Sequence, residues 1–557
     1  MAAPASELYF CSGVPLDPRY EHTLWFTDLA AQKSYFEGKV AKTFSPLTYL
    51  RKGKAVKVAA SYETARTWDY MFMFNYEAIG TGEFNFPTKG KTQYYFVTNV
   101  QYVNDNTVEV SVELDVMQTY LFDFERLPCF VERMHTETDG YGDYTLDEGL
   151  ELGHLVDVAS YDSENTNQLS IMVLASINPN YSGTGSPVKA LASMYNNVFS
   201  GLKVWTVDST RWTEWEDKLA ALEESGFLDG IHDMWMYPWA LIQVTDEGTE
   251  DVALPVNSCT SADVVAPGCP KTLDGYTPRN KKLFSYPFTF LYCSNNNGGS
   301  AVYRFERFNN GAAYPSALEP DVTETYFKLY GTVSPDAAVI LSPEDYNGQA
   351  VNKEESLTLD NYPHCAWDSD TYKMWLAQNQ NQHALTQNTA TIKAVGGAAT
   401  ALAGLGGMMM GGIGMGGLAA GGAATAISGF MDIQNLMAQK RDMEIQPPQA
   451  RGTFSSTANI TAGKHNFTFY VKTINAEAAR CIDDYFTMYG YKLNRVMVPQ
   501  IHCREAFTYV KTIGCHIKAD FAANDVIKIE AIFDKGITFW ADPAKVGDYY
   551  QDNDPLN

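Results

Sequence analysis

Val108, Val110, Val112, Leu114 and Val116 alternate one for one with Glu109, Ser111, Glu113 and Asp115. A period of two gives a strand with one apolar and one wet face. Asn104-Asp105-Asn106 just before it reads as a turn, so the strand is expected to fold back on the aromatic run 94–102 as a hairpin. Residues 54–60 and 68–74 are further aromatic or β-branched runs set between Gly, Pro and Asn, the composition of strands. Residues 1–155 therefore predict an antiparallel sheet. Beyond them, 156–360 mixes short apolar runs with polar loops such as 294–300. There, 212–227 predicts a helix, and the surroundings of Trp235, Tyr237, Pro238 and Trp239 read as an aromatic loop.

From Asp368 the pattern turns helical, opened by the capping residues Asp368-Ser-Asp-Thr. An amide-rich arm, 376–389, has its counterpart in 432–443, which Pro447-Pro448 stops. The last part, 449–557, predicts compact α+β structure. It has a strand over 465–471 and then a helix opened by Asn475. Ala478, Ile482, Tyr485, Phe486 and Tyr489 lie on one face of that helix, and Gly490 stands at its end. A second helix is expected from Asn524 to Gly536, with a final strand over 537–540.

Between the two polar arms lies a run unlike anything else in the chain. Residues 394–431 are 38 uncharged residues, of which 13 are Gly and 10 are Ala, and Thr400, Thr425 and Ser428 are the only polar side chains. Gly costs a helix about 0.8–1 kcal/mol relative to Ala, and too few large side chains are present to build a core. About 20 apolar residues span a bilayer as a helix, so the run has the length of two membrane arms. Gly396–Leu402 returns as Gly421–Ile427, one copy in each arm. Small residues recur at helical spacing, Gly407 with Gly411, Gly412 with Gly416, and Gly417 with Gly421, a pattern that lets helices approach closely in lipid. The side chains expected to enter a membrane are Val395, Leu402, Leu405, Met408, Met409, Met410, Ile413, Met415, Leu418, Ile427 and Phe430. Met adds flexible, polarisable surface that re-packs in changing surroundings. The soluble readings are a flexible linker, which would be Ser-rich, and a buried helix pair.

The 557 residues allow several domains, and 34 Tyr with 29 Phe suit β structure. A net charge of −25 argues against gripping nucleic acid; it suits a wall past which a polyanion slides, or simply an acidic surface. The nine cysteines (11, 129, 259, 269, 293, 365, 481, 503, 515) are odd in number and show no CxxC, so a disulfide framework is not expected and a reducing cytoplasm fits. The N-terminus lacks the basic and apolar regions of a signal peptide. His502-Cys503 and Cys515-His516, with Cys481 upstream, invite zinc but lack a knuckle spacing. Gly298-Gly299 has no following Lys-Ser/Thr to hold phosphate, and no motif singles out a carboxylate pair. Neither catalytic residues nor a metal or cofactor is expected.

Several stretches carry a resemblance. They include Trp25-Phe-Thr, Tyr95-Phe-Val-Thr, Leu114-Asp-Val-Met-Gln-Thr-Tyr, Phe130-Val-Glu-Arg-Met-His and Thr145-Leu-Asp-Glu-Gly-Leu. Later ones are Pro447-Pro-Gln, Tyr489-Gly-Tyr-Lys-Leu-Asn-Arg, Phe507-Thr-Tyr-Val-Lys-Thr and Ile532-Phe-Asp-Lys-Gly-Ile-Thr. In these the chain resembles the distal tail tube, or tail knob, proteins of short-tailed phages of the phi29 kind. The likeness covers both ends and the stalk, while 156–360 departs.

That resemblance implies a mainly β (α+β) fold. An N-terminal tube domain (1–155) and a C-terminal one (447–557) would be barrel-like and tube-forming. The insert or lower-tube region between them (156–367), of mixed or β type, and the long helical hairpin (368–446) carrying the apolar loop are read from the residues themselves, and the role of the insert is not carried over from the resemblance. The resemblance further implies a homo-hexamer joined to other tail proteins of the proximal tube, in the distal tail of a virion assembled in the host cytoplasm. Viral DNA would pass through the lumen without sequence-specific binding, and the apolar loops would plug the lumen before forming a pore in the host cell membrane. The competing reading is a receptor-binding or cell-wall-degrading tail-tip protein whose apolar run only anchors its assembly.

Overall fold

The computed structural model describes residues 5–48, 55–79, 86–166, 168–181, 194–195, 198–199, 202–244, 251–308, 324–332, 338–347, 356–359, 362, 364–366, 453–455 and 466–556. They form two compact units. The first joins Met1–Glu151, Tyr276–Leu283 and Ala476–Asn557; the second joins Leu152–Gly275 and Phe284–Asn475. Both are built mainly of antiparallel sheets, as the alternating pattern predicts for residues 1–155.

The first unit contains a sheet in the order Val40–Thr48, Ala5–Cys11, Tyr70–Ile79, Gln93–Asn104, Thr107–Leu114, Val56–Val58, with Phe86–Lys89 paired to Tyr70–Ile79. Val108, Val110, Val112 and Leu114 are buried, while Glu113 faces water. The strand pairs with Gln93–Asn104 through the expected turn, where Asn104 faces Thr107 across the ladder. The alternation ends one step early. Asp115 leaves the strand and caps the helix Val116–Tyr120, its carboxylate accepting from Gln118 N at 3.1 Å. Val116 is therefore a helical residue, because a carboxylate at this position satisfies a helix-end N–H that a continuing strand would not offer. The helix Leu29–Gly38 was not foreseen among the strands. Asp28 caps it, and only Gln32 and Phe36 are buried along its ten residues, too few to print a helical period on the sequence.

A second sheet in this unit mixes both ends of the chain. Its order is His22–Leu24, Ile537–Trp540, Phe507–Ile513, Cys129–Met134, Tyr491–Met497. The expected helix is present as Ala476–Tyr489, but its buried face is Ala479, Ile482, Asp483 and Phe486. Tyr489 is on the exposed side and Ala478 and Tyr485 are half-buried. The buried stripe turns toward Asp483 because that carboxylate accepts from Tyr276 Oη (2.7 Å), Arg279 N (2.9 Å) and Asn280 N (3.0 Å). Gly490 ends the helix at φ +65°, and a Cβ there would lie 2.4 Å from the Met134 backbone, so only glycine fits. The second expected helix is Ala523–Lys535, closed by Gly536, and Ile537–Trp540 follows as a strand.

In the second unit, a seven-stranded sheet runs Ile242–Val244, Leu254–Cys259, Lys203–Asp208, Leu169–Ala175, Ile231–Pro238, His364–Ala366, Thr453–Ser455. The expected helix is Trp212–Glu224 and buries Trp212, Trp215, Leu219 and Leu222. The aromatic loop expected around Trp235 is instead a strand. Met234, Trp235, Met236 and Tyr237 are all buried, with strands hydrogen-bonded on either side. A strand covered on both faces loses its alternation and reads as one apolar run. The polar loop 294–300 is the turn between Thr289–Ser294 and Ser300–Tyr303, held by Asn295 Oδ1 accepting from Asn297 N and Gly299 N.

Candidate functional site

The residues singled out for membrane contact, Val395 to Phe430, and the glycines Gly407 to Gly421 lie outside the described residues. So do the polar arms of the helical hairpin. What the structure gives is their anchorage. His364–Ala366 and Thr453–Ser455 are neighbouring antiparallel strands, in the register His364 with Ser455, Cys365 with Phe454, and Ala366 with Thr453. Opposed residues in such a pair stand about 4.5–5.5 Å apart at Cα. The chain therefore leaves the sheet at Ala366 and re-enters directly opposite, at Thr453. Residues 367–452, the apolar run included, lie outside the described residues and connect these two paired strands.

This strand pair is part of the seven-stranded sheet. His364–Ala366 pairs on its inner side with Ile231–Pro238, setting Asp233 against Ala366 and Trp235 against His364. Trp235 and Tyr237 are both fully buried. Pro238 ends the strand and sends the chain into the turn Trp239–Leu241. The aromatic cluster that looked like a loop is thus the packed strand on which this strand pair, the mouth of 367–452, rests. Among the described residues no helix is long and apolar enough to cross a membrane.

The residues that invited zinc are dispersed. Cys503 is buried and its thiol donates to His135 O at 3.2 Å; burial pushes that thiol up to about 11. His502 stacks on Trp25 with ring centres 3.6 Å apart. Cys515 is buried, which raises its thiol to about 12, and Cys481 is exposed on its helix. Among the described residues no three His, Cys, Asp or Glu side chains gather into a metal-binding group.

The stretches that carried the resemblance hold a set of buried polar groups whose role composition did not reveal. Glu148, in Thr145-Leu-Asp-Glu-Gly-Leu, receives Lys282 Nζ on one oxygen and Arg133 on the other, and Lys492 N donates to it at 3.0 Å. His135 is buried. Its Nδ1 accepts from Tyr509 N at 2.8 Å, and Nε2 lies 3.0 Å from Thr487 O. That arrangement requires the neutral ring with its proton on Nε2; burial, and then Arg504, hold its pKa down to about 3. Asp534 accepts from Thr512 Oγ1 (2.7 Å) and Cys515 N (3.0 Å). Each of these groups is engaged by other parts of the fold, so these stretches form a scaffold.

This is a β-built scaffold that draws on both ends of the chain, and the proteins it matches are structural proteins of the phage tail. Residues 257–554 match the family described as "Bacillus phage phi29, Tail knob protein gp9, C-terminal domain". Residues 4–125 match "Caudoviral major tail protein N-terminus". The chain belongs to the phi29 tail knob protein family, as the sequence resemblance implied. It is 25% identical to the tail knob protein gp9 of Bacillus phage B103, over 98% of this chain and 97% of that one. To gp9 of Bacillus phage phi29 it is 24% identical, over 97% of each. The fold is similar to that of the bacteriophage C1 tail knob protein, gp12, with a TM-score of 0.62 and 13% identity over 99% of this chain and 100% of that one. This protein is accordingly a component of the virion's distal tail, associated with other tail proteins. The relatives are named for a place in a structure and not for a reaction, in keeping with a non-enzymatic role.

Proposed function

We propose that six copies of this chain build the distal tail tube for DNA ejection. The segment 394–431 of each copy plugs the lumen before infection and then enters the host membrane as part of a pore. In this reading the N- and C-terminal parts form the wall, and 368–446 forms the stalk that carries the plug. One observation carries most weight: the pairing of Ala366 with Thr453 holds both ends of 367–452 together, as a hairpin that travels as a unit requires. Six tips packed on one another would bury their Leu, Ile and Met side chains, each contributing about 1.5–3 kcal/mol, without bonds to the wall. In lipid the same backbone must satisfy its own hydrogen bonds, which favours helices, and the glycine spacing suits their close approach. The net charge of −25 lets a polyanion pass without sticking.

The test pairs the full chain with a variant lacking 394–431. Both should form tubes by electron microscopy, because the strands that close the mouth are retained, and only the full chain should release dye from liposomes. Equal leakage from both would overturn the pore. Sugar release from purified cell walls would favour a wall-degrading tip instead.

A further inference from the structure

Cys129 opens the strand Cys129–Met134, and Cys515 lies just past the end of Phe507–Ile513. The two strands are neighbours, with Phe130 against Ile513 and Val131 against Thr512. Leu127 N donates to His516 O at 3.1 Å, so the two chains stay side by side through both cysteines. Cys129, Val131 and Thr512 are buried while Phe130 and Ile513 are exposed, the alternation of a half-covered sheet. Continued regularly, it would turn Cys515 outward. Gly514 breaks it at φ +66°, a left-handed turn that glycine takes freely, and Cys515 falls on the buried face instead. Asp534, on the helix Ala523–Lys535, holds that turn by accepting from Gly514 N at 3.1 Å and Cys515 N at 3.0 Å. The thiols of Cys129 and Cys515 thereby come to interact with each other.

Among the described residues, the other buried cysteines, Cys11, Cys269, Cys293 and Cys503, each turn the thiol to a backbone carbonyl oxygen. A small apolar filler needs no more than that. Two thiols aimed at one another have a further chemistry open to them. We propose that Cys129 and Cys515 are the site of an oxidative cross-link, closed once the virion has left the reducing interior of the cell. The oxidant is hydrogen peroxide, small enough to reach thiols lying beneath the exposed Pro128 and His516. The Cys129 thiolate, favoured by the His516 N–H that donates to its sulfur, attacks one peroxide oxygen. The O–O bond breaks, and hydroxide leaves a sulfenic acid behind. The Cys515 thiolate then attacks that sulfur, its S–O bond breaks, and a second hydroxide leaves as the S–S bond forms. The protons given up by the thiols turn both hydroxides into water. Two thiols and one peroxide thus become a disulfide and two waters.

Burial raises both thiols, Cys515 to about 12, so little thiolate exists at neutral pH. Oxidation is therefore slow, and the reduced pair survives in the cell. Once made, the bond ties the N-terminal stretch of the first unit to its C-terminal stretch, a long loop whose closure restricts the unfolded chain.

The experiment treats the full chain with hydrogen peroxide, blocks remaining thiols with iodoacetamide and maps peptides by mass spectrometry without reductant. A linked Cys129–Cys515 pair should appear, roughly tenfold faster per pH unit between pH 7 and 9, and dithiothreitol should remove it. Oxidised wild type should unfold at a higher temperature than reduced wild type, and Cys515→Ser should show no such shift. Virions alkylated on collection should carry at least tenfold more linked pair than the same protein taken from infected cells before lysis. Sulfinic acid at Cys129 or Cys515 with no linked pair would overturn the site and leave two packing cysteines. Free thiols in virions, or a pair already linked inside the cell, would overturn closure on release.

Discussion

Lys282 lays its ammonium against one oxygen of Glu148, and each side chain is only 1% exposed. Arg133, 8% exposed, holds the other oxygen and stacks 4.7 Å from the Tyr485 ring centre. Burial pulls the Lys282 ammonium down and Glu148 pushes it back up. Lys282 belongs to the short segment Tyr276–Leu283, which the first unit takes in from the middle of the chain. A buried ion pair adds little net stability, but removing one partner strands the other, at about 3–5 kcal/mol.

Glu148→Gln leaves two buried cations facing a neutral amide and is expected to cost the most, about 4 kcal/mol. Lys282→Met still leaves Glu148 with Arg133 and should cost less. Urea midpoints of the three proteins check the order. A Glu148→Gln midpoint equal to wild type would mean that the charges are hydrated in solution and do not clamp the segment.

Two buried groups make stability depend on pH in opposite senses. Asp115 accepts from Tyr70 Oη at 2.8 Å, and burial raises its carboxyl from 3.8 to about 6. Its raised folded value means the native state binds the proton more tightly, so stability falls as pH rises from about 4 to 6. At about 1.4 kcal/mol per pH unit the loss is on the order of 3 kcal/mol. His135 is the reverse, lowered from 6.5 to about 3. The unfolded chain takes up its proton first, so stability falls as pH drops from about 6.5 to 3, by on the order of 5 kcal/mol. Compared with wild type between pH 4 and 6.5, Asp115→Asn should make stability climb more steeply with pH. His135→Gln should flatten the climb. Parallel pH profiles for all three proteins would contradict both assignments.

Strict alternation revealed Thr107–Leu114, and a turn signal revealed its hairpin, because a half-buried strand writes its exposure on every second residue. The same logic failed at Trp235 and Tyr237, where cover on both faces removes the alternation and leaves a strand that reads like an aromatic loop. It failed at Asp483 for another reason. A buried carboxylate is bought by partners at 276–280, roughly two hundred residues away, and a local helical pattern cannot contain them. Within the candidate site, 394–431 stands out by composition alone, since glycine, alanine and methionine without charge have few uses in water, and its entry into a membrane is the proposal that liposome leakage tests. The mouth was not legible. His364–Ala366 and Thr453–Ser455 are three residues each, too short to show a period, and only their mutual pairing makes them strands.

That pairing is open to a one-substitution test. Cys365 faces Phe454 across the ladder, and opposed residues have Cβ atoms about 4.5–5.5 Å apart, within reach of a disulfide after small adjustment. Phe454→Cys should therefore cross-link to the native Cys365 on mild oxidation, seen as a linked peptide pair by mass spectrometry. Thr453→Cys faces Ala366 instead and should link far more slowly. Because the link joins the two feet of one hairpin, liposome leakage by oxidised Phe454→Cys should match wild type. Loss of leakage on oxidation, restored by reductant, would mean that the mouth must open for the loop to act.

The apolar tip itself gives the sharpest distinction between a plug that enters lipid and a segment that merely anchors assembly. Met409 lies in the middle of the uncharged run. A carboxylate costs about 2.5–3.5 kcal/mol at the centre of a membrane helix, roughly a hundredfold in population for one chain, and Met409, near the point where the two arms meet, must cross that centre for the hairpin to insert. If several chains must insert together the cost multiplies. Met409→Asp is therefore expected to abolish dye release, while the same substitution in an assembly anchor would instead shift the sedimentation profile. Thr400→Ser, which keeps a hydroxyl in the first arm, should leave leakage near wild type and shows that substitution as such is tolerated. Since aspartate is protonated more readily in lipid than in water, part of the lost leakage should return at pH 4 for Met409→Asp but not for Met409→Lys. Full leakage by Met409→Lys at neutral pH would show that the tip never reaches the hydrocarbon.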